Sequence, residues 1–317
     1  MFYHIIFYIF SMDLLFNDII NERHAFMFHP LYHNAFIFSL TLRNSHDKTL
    51  LYLAVEDNNL EYCSIFIKKG ADINFVCPRL EEDILERNLL QEQQQIKHRC
   101  NMTPLMIAAW NGNEEICEFL IIKGADVNKM NNFRETALII ATIKGFANIC
   151  KLLIHHGADV NIKDEDGFTA LIISISISIS SLNLDIFNYL VKRTYLNLKD
   201  NEGQTALIHA VRKKQLYMTQ KILKLNPDIS IQDNYDMTAL MWATILFKME
   251  NEIEMILYIM LCNKKVINMI DNSGGTVLHM LYRHKFPPVM IDFISSQMNP
   301  DVRNIINIYG EIAYQVV

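Results

Sequence analysis

Apolar residues recur along this chain in short bursts that share one phase. Each burst follows a Thr: TLLYLA (49–54), TPLMIAA (103–109), TALIIA (136–141), TALIIS (169–174), TALIHA (205–210), TALMWA (238–243) and TVLHML (276–281). After the Thr the apolar positions return at helical spacing, as Leu105, Ala108 and Ala109 do ahead of Ile116, Phe119 and Leu120. A Thr before an apolar run suits a helix start, because its hydroxyl accepts from an N–H left unpaired in the first turn. The small residue five positions after the Thr lets two helices approach closely. The pattern therefore predicts pairs of short helices, the first of each pair opening at the Thr.

A second landmark follows the first three anchors, each time 21 residues after the Thr: GADIN (70–74), GADVN (124–128) and GADVN (157–161). The Thr-to-Thr spacings are 54, 33, 33, 36, 33 and 38. Gly70, Gly124 and Gly157 are placed to end the second helix in the left-handed region, and Gly112 and Gly145 to turn the chain between helices. The Asp and Asn that follow the glycine open the turn into the next unit. One such pair cannot bury its own apolar faces, so neighbours must stack.

These landmarks resemble the ankyrin repeat, with its period of about 33 residues and its T-P-L-H-x-A signature. The resemblance covers residues 46–317 and is strictest over 100–171. It implies an all-α fold, an ankyrin-repeat solenoid of stacked helix-turn-helix units joined by β-turn or hairpin-like loops. The chain then divides into an N-terminal extension with a divergent capping unit (1–45), a repeat (46–75), a charged insert (76–99) and further repeats (100–317), the last one truncated. The insert contains LEEDILERNLLQEQQQIKHR (80–99), read as a solvated surface elaboration on the turn side, with a partner-binding finger as the alternative.

Three departures bear on the picture. The Ser/Ile alternation of residues 174–181 has strand periodicity, yet it lies between in-phase anchors, which puts it in a helix pair whose inter-helix turn is longer. The signature His appears only as His279; Met106, Ile139, Ile172, Ile208 and Met241 replace it, so a recurring hydrogen bond between neighbouring turns is expected to give way to apolar packing. FPPVMIDFISSQM (286–298) reads most simply as a last second helix after a Pro-containing turn.

Composition narrows the function. Hydrophobic residues make up 51% and charged residues 20%, with a formal net charge of −6, which excludes global disorder and gives no basic block for nucleic acid. RKK (212–214) and VKR (191–193) are short and read as solvated faces balanced by acidic turns. Cys63, Cys117 and Cys150 each lie 14 residues after a Thr, on the second helix of separate repeats. Side-by-side helices about 8–10 Å apart hold such residues too far apart for a disulfide or a shared zinc, so they are small packing residues. His155 and His156 occupy a last helical turn and face different ways. No GxSxG, HExxH, Walker loop or paired-carboxylate constellation is present, so no catalytic, cofactor-binding or metal site is assigned and an enzyme is not expected. The apolar start MFYHIIFYIF (1–10) is too short to span a bilayer, which takes roughly 20 apolar residues, and it lacks the basic flank of a signal peptide. A soluble, cytoplasmic monomer with a protein partner is the expectation, with neither nucleic acid nor a membrane as ligand.

The resemblance also places a binding surface, on the turn tips and the ends of the first helices. At the helix ends it implies Glu56 and Asp57, Trp110 and Asn111, Ile143 and Lys144, and Arg212 and Lys213. At the tips it implies Phe133 and Arg134, Asp164 and Glu165, Phe168, Gln204, and Asn234 and Tyr235. Trp, Tyr and Arg most often anchor interfaces, which singles out Trp110, Arg134 and Tyr235. Trp242 shares the register of Ile107 and Ile140 and is assigned to the core. By resemblance alone, Asn128 and Asn161 are positions for side-chain hydroxylation. The expected function is a non-enzymatic scaffold that holds a partner protein through the concave face and turn tips of the repeat array. The alternative is an adaptor that delivers a partner to a membrane or degradation machinery through a terminal segment.

Overall fold

The structure, a computed structural model, describes residues 48–77, 101–177, 181–246, 259 and 264–313. The opening extension and nearly all of the 76–99 insert lie outside the described residues. The chain forms two compact units, Met1–Asp159 and Val160–Val317. In the first, α1 (Leu50–Glu56), α3 (Pro104–Asn111) and α5 (Ala137–Lys144) are first helices, and α2 (Leu60–Lys68), α4 (Glu114–Ile122) and α6 (Ala147–His155) are second helices. In the second, the first helices are α7 (Ala170–Ser176), α9 (Ala206–Arg212), α11 (Ala239–Leu246) and α12 (Val277–Arg283). Its described second helices are α8 (Ser181–Leu190), α10 (Leu216–Leu223) and α13 (Pro288–Gln297), and a short α14 (Pro300–Arg303) follows. Within each unit the first helices pack on one another in chain order, and each second helix packs on its own first helix. Among the described residues, extended pairing is limited to isolated bridges between Ile270 and Thr276 and between Ile306 and Ile312.

The Thr positions act as expected. Thr49, Thr103 and Thr136 accept from the N–H three residues on at 3.2, 3.2 and 3.3 Å, and Thr238 does the same for Met241 at 3.2 Å. The Leu two positions after each Thr is wholly buried (Leu51, Leu105, Leu138, Leu171, Leu207, Leu240, Leu278), as are the small residues Ala108, Ala141, Ala210 and Ala243. Each such Leu contributes roughly 1.5–3 kcal/mol by leaving water. Cys63, Cys117 and Cys150 are buried free thiols, and burial pushes each of them up to about 12. Alternation does not decide the Ser/Ile stretch. The chain is helical through Ser176, the Ser174 and Ser176 hydroxyls donate to the Leu171 and Ile172 carbonyls at 2.7 and 3.0 Å, and Ile177 is extended. Residues 286–298 form the expected second helix, with Pro288 at its first position.

The signature His has stand-ins. His279 Nδ1 accepts from Thr276 N at 3.2 Å, and its Nε2 meets the Glu311 carbonyl of the next turn at 3.2 Å. At the same position the sulfurs of Met106 and Met241 accept from Thr103 N at 3.4 Å and Thr238 N at 3.5 Å. The local bond thus survives at the two Met positions, while the bond to the neighbouring turn, which the sequence expects to be lost, is made by His279 and not by these sulfurs.

Each first helix whose end is described in this form closes on a left-handed residue. Gly112 and Gly145 take φ of 79° and 78°, while Asn58, Lys214 and Lys285 take 56° at the equivalent place. A Cβ on Gly112 would meet the Phe146 ring at 2.7 Å. We expect Lys214→Gly to raise unfolding free energy by roughly 1 kcal/mol, and Gly112→Ala to lower it by about 1–3 kcal/mol. Urea unfolding of the full chain measures both.

Candidate functional site

Every described hairpin between repeats hangs on one side chain, five residues ahead of the next Thr position. Asp233 is typical: its Oδ1 accepts from Tyr235 N and Met237 N, both at 2.9 Å. Its own N–H donates to the Met237 carbonyl, and its carbonyl accepts from Asp236 N. Asn131, Asp164, Asp200, Asp271 and Asn307 repeat the arrangement with side-chain bonds of 2.7–3.0 Å. The third residue after the anchor is left-handed, as Arg134, Gly167, Gly203, Asp236, Gly274 or Gly310. In the second unit the tips are also laced together. Asn201 N donates to the Asp166 carbonyl, Asn234 N to Glu202, Asn272 N to Tyr235 and Ile308 N to Ser273. A Cβ on Gly203 would lie 2.9 Å from Asn234 N, so the close approach of the tips requires glycine there.

A second set of rungs lies at the far end of the hairpins. The Asn128 side chain accepts from Asp159 N at 2.8 Å and donates to the Gly157 carbonyl at 3.1 Å. Asn74 accepts likewise from Asp126 N at 2.8 Å in the first unit. In the second unit, Asn161 accepts from Tyr195 N, Asn197 from Asp228 N and Asn268 from Asn299 N at 2.8–2.9 Å. The two Asn positions marked by resemblance for hydroxylation are therefore members of this ladder.

In the second unit the free oxygen of two anchors reaches the first helix that follows. Asp200 Oδ2 meets His209 Nε2 at 2.7 Å, and Asp233 Oδ2 accepts from Trp242 Nε1 at 2.7 Å. The Asp200–His209 pair is deeply buried, with the His ring edge-on to Phe168 at 5.4 Å. Burial holds His209 below its ordinary value and outweighs Asp200, whose hydrogen bond and charge pull upward. The Arg212 guanidinium lies 4.6 Å from the Trp242 ring centroid and 3.5 Å from Glu202. Glu202 also accepts from Gln204 Nε2 at 2.7 Å, and the buried Gln204 Oε1 has no partner.

These positions revise the expected surface. Trp110 is only 8% exposed, with Lys144 Nζ 3.7 Å from its ring centroid, so it supports a lysine and is not itself a projecting end. Gln204 is wholly buried, and Asp164 spends its carboxylate holding its own turn. Trp242, assigned to the core, is half-buried at the rim because its indole N–H finds Asp233. Asn111, Ile143, Phe133 and Phe168 are half-buried. Arg134, Glu165, Arg212, Lys213, Asn234 and Tyr235 are exposed, Tyr235 at 57%. Glu56 pairs with Lys48 at 2.8 Å. His155 and His156 stand edge to face on the surface, and among the described residues no group of three His, Cys, Asp or Glu side chains could hold a metal ion. Among the described residues no helix is long and apolar enough to cross a membrane.

A model of ankyrin repeats matches this chain in three copies, over residues 28–131, 105–197 and 175–271. Among solved structures, the chain is similar to the crystal structure of the ankyrin repeat domain of Bcl-3, described as a unique member of the IkappaB protein family. The TM-score is 0.58 at 19% identity, covering 74% of this chain and 95% of that one. At that identity the likeness is one of fold.

Two outcomes follow from the buried groups. Cys63, Cys117 and Cys150 should resist iodoacetamide in the native protein at neutral pH and react once it is unfolded, as read by peptide mapping. His209 favours its neutral form in the fold, so its contribution to stability is full above the unfolded value of about 6.5 and is lost as pH falls below it. Stability should decline on acidification from neutrality, by no more than about 1.4 kcal/mol per pH unit from this group. His209→Gln should remove that part of the slope in urea melts across the range.

Proposed function

Because the chain belongs to the ankyrin-repeat family, whose repeats are generally protein–protein interaction modules, we propose that it is a non-enzymatic scaffold that holds a partner protein. The reading places contact on the turn tips and first-helix ends of each unit. Arg134 with Phe133, beside Asn111, Ile143 and Lys144 on Trp110, serves in the first. Arg212, Lys213 and Tyr235, with Phe168, Asp164 and Gln204 beneath, serve in the second. The observation that carries it is rigidity under exposed anchors. Tyr235 stands on a hairpin fixed by Asp233 at both ends, and Arg212 lies on a Trp242 ring that the same Asp233 holds. Side chains ordered before contact lose less entropy on binding, and exposed Tyr and Arg are the residue types that most often dominate interfaces.

An intracellular setting is part of this reading, supported by Cys63, Cys117 and Cys150, which are buried thiols outside any disulfide. Asn128 and Asn161 are retained as the proposed hydroxylation positions. The adaptor alternative draws no support from residues 286–298, which hold an ordinary second helix, and the apolar start lies outside the described residues. We expect Arg212→Ala with Tyr235→Ala, in the tagged full chain, to reduce capture of a co-purified partner at least about tenfold without changing its circular dichroism. Unchanged capture of every partner by a correctly folded variant would refute the surface.

A further inference from the structure

Residues 181–226 carry eight Lys and Arg against three Asp and Glu, in a chain whose formal net charge is −6. The sequence reads its basic stretches as balanced by acidic turns, but the structure separates the two. Asp200 is buried in its turn on His209, and Glu202 faces Arg212 on the first-helix side. The surface at the C-terminal ends of the second helices α8 and α10 is left with Lys192, Arg193, Lys221 and Lys224. All four are exposed, and none has an ion-pair partner among the described residues. Asp185 is the one acid within the two helices and lies at the middle of α8, two turns before Arg193.

A cation near a helix C-terminus complements the dipole, and Lys123 after α4 has that role against Glu114, Glu115 and Glu118 on the same helix. The C-terminal ends of α8 and α10 go beyond it, since two cations gather at each, Lys192 and Arg193 just after α8 and Lys221 and Lys224 at the end of α10, and α10 has no acid. Their cations are also ordered. The Arg193 guanidinium lies 3.8 Å from the Tyr189 ring centroid and donates from Nη1 to the Tyr189 carbonyl at 2.7 Å, which leaves the rest of its fork open. Lys221 Nζ lies 5.3 Å from the Tyr217 ring centroid. Tyr217 donates to Asn188 Oδ1 at 3.0 Å across the two helices, so the two cation–ring pairs belong to one continuous surface.

We propose that this surface, centred on Arg193 and Lys221, docks an extended acidic segment of another protein. Carboxylates match it in sign, and an Arg fork held flat against a ring suits bidentate capture. The ring faces of Tyr189 and Tyr217 are occupied by their own cations, whereas single-stranded nucleic acid needs open aromatic faces to stack on. Duplex binding neutralises more phosphates than four cations can. Insertion into a lipid surface needs a free apolar helix face, whereas Ile186, Phe187, Met218 and Ile222 of these helices are buried in the repeats and, among their described aliphatic residues, Leu216 alone stands exposed. The proposal stands on the second-helix surface and is independent of the tip and first-helix reading.

The test is fluorescence anisotropy of a fluorescein-labelled oligo-glutamate peptide titrated with the full chain at physiological salt. Saturable binding is expected, weakening as salt rises, with at least about a tenfold loss in R193E/K221E and less than about a twofold change in R212E. Circular dichroism confirms that the variants fold. Absent binding, or equal affinity in R193E/K221E, overturns the proposal. So does tighter binding of single-stranded DNA or of phosphatidylserine vesicles through the same two residues, which assigns the surface to that ligand. Self-association of the chain in sedimentation, abolished by R193E/K221E, overturns it in favour of a second copy.

Discussion

The hairpins between repeats depend on a single side-chain oxygen each. Asn131, Asp164, Asp200, Asp233, Asp271 and Asn307 all turn Oδ1 onto two backbone N–H groups that no helix or strand would otherwise satisfy. Five residues on from each of these except Asn307, which is followed by Ile312, a Thr opens the next first helix. The anchor therefore sets where the helix begins, and through it the register in which Leu and Ala of neighbouring first helices meet. An unsatisfied pair of buried donors would cost about 1–3 kcal/mol each, enough to loosen a small domain of ordinary stability.

The framework of this fold is legible in the sequence because its signals are local. Thr at a helix start and Gly at a left-handed end act through the residue itself, and Thr103, Thr136, Gly112 and Gly145 sit where their chemistry puts them. The turn anchors are less legible. Asn131 or Asp233 looks like any polar residue of a loop until its spacing to the next Thr is compared across repeats. The candidate surface is least legible, since exposure is settled by the neighbouring repeat. Lys144 closes over Trp110, and Asp233 draws the Trp242 indole to the rim. Two tryptophans thus exchange the roles their positions suggested.

Met106 and Met241 show how a signature is relaxed without loss of its physics. The His of the motif supplies an acceptor to the Thr N–H, and a thioether sulfur supplies a weaker one from a side chain that also packs well in a core. Only His279 reaches on to the next turn, at the Glu311 carbonyl. Acids and bases are sorted between surfaces in a similar way: Glu202 and Glu311 accompany arginines near the tips, while the second helices α8 and α10 keep their cations unaccompanied.

The Asn rungs have a consequence for how the chain finds its fold. Their sequence separations are short and nearly uniform, 29 and 31 residues from Asn128 and 34 from Asn161 to its partner. Every such closure spans one repeat, so folding requires no distant ends to meet, and low contact order favours speed. The bond from Asn74 to Asp126 is the exception, at 52 residues, because it bridges the charged insert. Loop-closure entropy grows only with the logarithm of length, so the longer span adds no more than about 0.5 kcal/mol. A solenoid can therefore carry an elaboration of that size at almost no thermodynamic penalty, provided both ends return to adjacent rungs.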